Sequence, residues 1–273
     1  KGSVALSNRA KHIVLSLICI VCLGAAGVLW YFTQPCEQCG RKICFGHAAV
    51  QQSGTESSTD AKTEPRETTL AYTGETDENY LDDVYFIGDS RTVGLVRAEM
   101  PEDHLFAETG MCHEDALTKR VVILDDTAYL TIPDALQIVA PKIAVVNFGI
   151  NGIGFMDEDA FIDEYRTMMQ AFQKMSPETV FIIESILPVS SSYESTSGVT
   201  NEKIDEMNLR LCALAEELGC YYLASDTVMK DENNDLLRIY NDGDGLHYNE
   251  KGYEAILTCV KTHVVPEWED WKK

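Results

Sequence analysis

Apolar positions along this chain fall into two kinds of block. Val84–Ile87, Ile143–Phe148, Val180–Ile186 and Tyr221–Ala224 are short continuous apolar runs with the length and composition of buried strands. Between them lie longer stretches whose apolar residues recur three and four positions apart. Phe161, Tyr165, Met168, Met169 and Phe172 share one face of a helix expected over Asp159–Lys174, and Ile204, Met207, Leu211, Leu214 and Leu218 do so near Asn201–Leu218. Gly219 is a natural stop for the second. A last helix is expected over Glu250–His263, capped by Asn249, with Tyr253, Ile256, Leu257 and Val260 facing inward. These Met and aromatic stripes are read as core.

The first strand leads through Gly88-Asp89-Ser90 into a helical stretch containing Leu95 and Val96. Strands alternating with helices of this length predict an α/β fold with a parallel sheet covered by helices on both faces. In such folds ligands bind at the carboxyl ends of the strands. Ser90, the segment after Phe148 and the loop after Ile186 are therefore expected at one rim.

Upstream the pattern changes. From Ile13 to Phe32 no charged residue occurs, and about 20 residues at ~1.5 Å each span a hydrocarbon core of about 30 Å. This predicts one transmembrane helix over 13–32 after a short cytoplasmic segment, 1–12. Lys1, Arg9 and Lys11 precede it and Trp30 and Tyr31 close it, although Arg41 and Lys42 lie on the far side. The competing reading is a cleaved signal peptide with Gly24, Ala25 and Ala26 near its cut; either way the rest of the chain is exported. Residues 33–79 read as a juxtamembrane segment and flexible linker, since Gln51–Asn79 is rich in Ser, Thr, Glu and Gly with few large apolar residues. The globular domain is expected over 80–273.

Charge narrows the partners: 22 Lys and Arg against 44 Asp and Glu give a formal net charge of −22, which repels nucleic-acid phosphates and anionic lipid surfaces. The nine cysteines form no regular framework. Cys36, Cys39, Cys44 and His47 have the spacing C-x2-C-x4-C-x2-H, which could ligate zinc, while an extracellular disulfide is as consistent with it. Cys212, Cys220 and Cys259 fall on apolar faces or at a strand start and read as buried thiols.

Candidate chemistry centres on Ser90 and on Asp244-Gly245-Leu246-His247. A serine between strand and helix can be a nucleophile or an N-cap. An Asp three residues before a His can accept its Nδ1–H, leaving Nε2 to take a proton from a hydroxyl. The run Asn241-Asp242-Gly243-Asp244-Gly245 is equally a turn signal with a solvated histidine beside it.

Taken in order, Gly88-Asp89-Ser90, Gly110, Gly149-Ile150-Asn151 and Asp244-x-x-His247 resemble the four motif blocks of the SGNH/GDSL hydrolases, across nearly all of residues 84–265. The resemblance implies a three-layer α/β/α, flavodoxin-like fold with a central, mostly parallel, five-stranded sheet. It also implies Ser90 as nucleophile, His247 as general base, Asp244 as its orienting acid, and an oxyanion hole from the Ser90 and Gly110 N–H groups and the Asn151 amide. Asp242 is second choice for the acid, and Asp89 is expected to be a structural acceptor. Two residues depart from the family pattern. Arg91 follows the serine, where it would contact an anionic substrate or pair with a carboxylate; Gly152 follows Asn151 and removes a side chain that could brace that loop.

The expected activity is hydrolysis of O-acyl, especially O-acetyl, esters on cell-wall or surface carbohydrate or on small esters, outside the cytoplasm and tethered to the membrane by the N-terminal helix, without cofactor or metal. Acyl transfer by the same triad and an inactive surface-anchored binding module are the alternatives. Loops at Met111–Leu130 and Ser190–Thr200 are expected to shape the substrate site.

Overall fold

The computed structural model describes residues 67–74, 78–124 and 128–271, all within one compact unit, Thr63–Lys273. The expected membrane helix at 13–32, the segment before it and the Cys36, Cys39, Cys44 and His47 cluster lie outside the described residues. Among the described residues no helix is long and apolar enough to cross a membrane, and no group of His, Cys, Asp and Glu is arranged to hold a metal ion.

Seven strands are present among the described residues: β1 (Val84–Gly88), β2 (Leu105–Ala107), β3 (Arg120–Ile123), β4 (Tyr129–Thr131), β5 (Ile143–Asn147), β6 (Val180–Glu184) and β7 (Tyr221–Leu223). Five form one sheet in the order β2-β1-β5-β6-β7, every neighbouring pair parallel, with Ile87 opposite Val146 and Val145 opposite Ile182. The helices are α1 (Ser90–Val93), α2 (Ile132–Val139), α3 (Glu158–Met175), α4 (Ser191–Ser197), α5 (Asn201–Leu218), α6 (Asp226–Met229), α7 (Glu250–Thr262) and α8 (Trp268–Trp271).

The continuous apolar strand runs are explained by burial on both faces. In β5, Ala144 and Val146 join the cluster containing Phe161, Tyr165, Met169, Ile204 and Leu211 of α3 and α5. Ile143 and Val145 join the opposite cluster with Tyr253, Ile256 and Val260 of α7. Successive residues of a strand point to opposite faces, so a sheet covered twice needs apolar residues at both parities. Gly219 closes α5 at φ 65° and Asn249 caps α7, as expected, and Asp157 and Thr200 cap α3 and α5.

Three segments expected to be linker or loop carry backbone pairing or helix. The flexible linker does not extend to residue 79: Tyr222 N–H donates to Thr68 O at 2.8 Å, Leu70 N–H donates to Tyr222 O at 2.9 Å, and Leu70 is buried. The outer edge of β7 offers unpaired backbone groups, and this segment satisfies them. The Met111–Leu130 region contains the antiparallel β3–β4 hairpin, with Arg120 opposite Thr131. The Ser190–Thr200 region contains α4, where the Ser190 hydroxyl accepts from Tyr193 N–H and Gly198 ends the helix at φ 76°.

Burying one Leu side chain contributes about 1.5–3 kcal/mol. A chain begun at Tyr80 is therefore expected to melt several degrees below one begun at Glu67, as measured by thermal circular dichroism.

Candidate active site

The turn from β1 into α1 requires a residue without a side chain. A Cβ on Gly88 would lie 2.1 Å from Thr92 Oγ1 and 2.4 Å from the Asn147 carbonyl oxygen. With Gly there, β1 passes close to β5 and turns directly into α1. Asp89 takes the N-cap role, its Oδ1 accepting the Arg91 N–H at 2.9 Å. Ser90 stands at the first helical position, so its hydroxyl is not used as the cap.

The hydroxyl instead meets His247, with Ser90 Oγ 2.9 Å from His247 Nε2. His247 Nδ1 lies 2.6 Å from Asp244 Oδ2, while Asp244 Oδ1 accepts the Leu246 and His247 N–H groups, each at 2.8 Å. An ionised carboxylate only accepts, so Nδ1 carries the proton and Nε2 presents a lone pair to the serine hydroxyl. Partial burial pushes the Asp244 carboxyl up. The imidazole hydrogen bond and the two backbone N–H bonds outweigh it, and the pKa is lowered to about 2. Asp242 is engaged elsewhere, in a surface ion pair with Arg97 at 2.9 Å.

The loop is shaped from within. Asn241 Oδ1 accepts the Gly243 and Gly245 N–H groups at 2.8 and 3.1 Å. Gly245 has φ 81°, and a Cβ there would lie 2.1 Å from Ser190 Oγ.

Gly110 occupies an exposed turn just after β2, at φ 76°. Neither its N–H nor that of Ser90 has a hydrogen-bond acceptor among the described residues. Asn151 Nδ2 donates to Asp89 Oδ2 at 3.1 Å and to Met111 O at 3.0 Å. Both amide hydrogens are thus engaged, and donation to an oxyanion requires one of them to be shared or released. Asp89 is buried, which raises its pKa against the lowering pull of the Arg91 charge, the Arg91 N–H, the His247 charge and the Asn151 amide.

Gly152 stands where side chains crowd the loop. A Cβ there would lie 3.0–3.1 Å from His113 Cε1, Cys112 Sγ and Met156 Sδ, so the loop packs tightly against these side chains and a larger residue would require them to move. His113 is buried against the Phe161 ring at 4.3 Å, and burial lowers its pKa to about 4. The Cys112–His113 packing carries no local sequence signal beyond its position just after Gly110. Cys112, Cys220 and Cys259 are buried free thiols, and Cys212 is partly buried.

Arg91 forms no ion pair with a carboxylate among the described residues and is buried among backbone carbonyls. It is 2% exposed and donates to the carbonyls of Leu187 at 2.7 Å, Pro188 at 3.3 Å and Leu246 at 3.2 Å. A guanidinium satisfies several acceptors at once, and here three backbone oxygens hold it while its charge also acts on the buried Asp89 carboxylate.

Ser, His and Asp joined by hydrogen bonds at the carboxyl edge of a parallel sheet is the arrangement of the α/β serine hydrolases. The chain matches the GDSL-like Lipase/Acylhydrolase family over residues 86–255, and it belongs to that family of ester hydrolases. Solved structures share the fold. A Streptococcus pneumonia protein described as a platelet activating factor is 23% identical, with TM-score 0.53, covering 66% of this chain and 82% of its own. A GDSL-like lipase from Bacteroides thetaiotaomicron is 20% identical, with TM-score 0.51, covering 63% of this chain and 82% of its own. No curated protein matches the sequence.

Two carboxyls near the site titrate with opposite sign. Burial raises Glu184, at the end of β6, from 4.5 to about 7, despite the Ser225 hydroxyl that donates to it at 2.5 Å. Its contribution to stability is complete below pH 4.5 and is lost as pH rises through about 7. The Asp244 contribution is present above its ordinary value of 3.8 and is lost as pH falls through about 2. Urea denaturation across pH is expected to show wild type losing stability relative to Glu184→Gln between pH 4.5 and 7. Asp244→Asn is expected to lack the rise that wild type shows between pH 2 and 4.

Proposed function

We propose that this protein is an extracytoplasmic serine esterase that hydrolyses O-acyl esters, principally O-acetyl groups on cell-wall or surface carbohydrate. The observation that carries the reading is the continuous relay from Ser90 Oγ through His247 to Asp244, at 2.9 and 2.6 Å. In this reading Nε2 of His247 removes the Ser90 proton as Oγ attacks the acyl carbonyl carbon. The carbonyl π pair moves onto oxygen, and the Ser90 and Gly110 N–H groups, with the Asn151 amide, receive that charge. Collapse of the tetrahedral intermediate expels the alkoxide, which takes the proton from His247. Water, deprotonated by the same imidazole, then attacks the acyl-serine and releases the acid. Asp244, held ionised, keeps Nδ1 protonated and stabilises the imidazolium in each half.

The carbohydrate assignment is supported by the expected export and tether of residues 13–32 and by the net charge of −22, which disfavours polyanionic substrates. In this reading the protein sits at the membrane with its catalytic domain outside.

Hydrolysis of p-nitrophenyl acetate is expected to fall by several powers of ten in Ser90→Ala and His247→Ala, and by about 10⁴ in kcat in Asp244→Asn. Equal activity in all four proteins would refute the mechanism. Acetylated cell-wall polymer, supplied with and without an acceptor sugar, is expected to yield free acetate in both cases. Acetylated acceptor as the main product would instead make the protein an acyltransferase.

A further inference from the structure

The two halves of the proposed relay are far apart in sequence, and neither is held rigid by its own element. Ser90 begins a helix of only four residues, too short to be stable by itself. His247 lies in an irregular loop between Tyr240 and the Asn249 cap, whose internal bonds, such as Asp242 N–H to His247 O at 3.0 Å, fix its shape but not its distance from Ser90.

Arg91 joins the two. Its backbone directly follows the serine, and its Nε donates to the carbonyl of Leu246, the residue before His247. The other guanidinium nitrogens grip Leu187 O and Pro188 O, and that ledge is itself fixed. Asn208 exchanges hydrogen bonds with Ile186 N–H and O at 2.7 and 2.9 Å, and Asn201 does the same with Val189 at 2.9 and 2.7 Å. Tyr248, next to the histidine, lies under the guanidinium with its ring centroid 5.2 Å from Cζ, and its hydroxyl donates to Pro188 O at 2.9 Å. An outer link, Arg97 to Tyr248 O at 2.8 Å, is largely exposed and paired with Asp242, where solvent and salt weaken such contacts.

We propose that Arg91 is a positioning residue that sets the distance and angle between Ser90 Oγ and His247 Nε2 by clamping the base loop and the ledge after β6 to the nucleophile turn. The proposal rests on the triad reading above. A misplacement of about 1 Å between reacting groups can cost ~10²-fold in rate. Lysine, a point charge with no planar fork, can satisfy one of the three carbonyls well but cannot span all of them. Arg91 is 2% exposed, out of a substrate's direct reach, so its loss is expected to act on turnover and not on binding.

The test measures kcat and KM for p-nitrophenyl acetate in the full chain for wild type, Ser90→Ala, Arg91→Lys and Arg91→Ala, with and without millimolar guanidinium chloride, the folded fraction being taken from circular dichroism. The expected losses in kcat per folded molecule are about 10-fold for Arg91→Lys and about 100-fold for Arg91→Ala, with KM within about twofold. Guanidinium is expected to restore part of the kcat of Arg91→Ala and to leave wild type unchanged. If Arg91→Ala does not fold, Arg91→Lys carries the test alone. Wild-type kcat in folded Arg91→Lys or Arg91→Ala, beside an inactive Ser90→Ala, overturns the positioning role and leaves the triad standing. Wild-type activity in Ser90→Ala overturns the triad and this proposal with it.

Discussion

The contact between Ser90 Oγ and His247 Nε2, 2.9 Å across 157 positions of chain, is the constraint on which the rest of the molecule depends. A side chain at the end of the first sheet strand and another just before the last long helix must be brought within one hydrogen bond of each other. The parallel sheet does most of this work. All five strands run the same way, so their carboxyl ends share one edge, and the connections emerging there converge on a single rim. The apolar runs that bury both faces of β5 are therefore part of the functional design, because a shift of that strand by one residue would exchange its two faces and displace Gly88 from Asn147.

Around the contact lies a set of polar groups whose burial is compensated mutually. Asp89 caps α1 and holds the Asn151 amide, Arg91 satisfies three backbone oxygens, and Tyr248 lies beneath it. Each of these groups alone would be costly to bury; together they leave few unpaired atoms and determine a specific geometry. The same logic separates the two acids of the 241–245 turn. Asp244 gains from the imidazole and two N–H groups, whereas Asp242 faces solvent and Arg97.

Much of this was legible in the sequence, because the signals were local or periodic. Two-sided strands, the apolar faces of α3, α5 and α7, the Gly219 stop and the Asn249 cap all follow from spacing that one element imposes on itself. Asp244 and His247 were readable for the same reason, being three residues apart in one loop. The elements passed over had short or polar signatures. Helix α4, Ser-Ser-Tyr-Glu-Ser-Thr-Ser, has no apolar stripe, and its formation depends on the Ser190 cap and on Asp235, which accepts from Ser191. The start of α2 did carry a signal, Thr131 followed by Pro133 and Asp134, with Thr131 Oγ1 accepting the Asp134 N–H. Arg91 could not have been placed by any reading of spacing, since its acceptors are backbone oxygens 96, 97 and 155 residues away. The docking of Thr68–Leu70 on β7 was hidden for a related reason: an edge strand recruits its partner by backbone pairing, to which side-chain composition is a poor guide.

The family establishes an ester hydrolase; the central claim is that the hydroxyl oxygen of Ser90, activated by His247, is the atom that attacks. Covalent trapping tests it most directly. The protein is treated with a fluorophosphonate, which phosphonylates an activated serine, and the adduct is located by intact-mass and peptide mass spectrometry. The account predicts a single adduct on Ser90 in wild type, forming orders of magnitude more slowly in His247→Ala. An unmodified Ser90, an adduct at another residue, or equal labelling rates in the two proteins would contradict it.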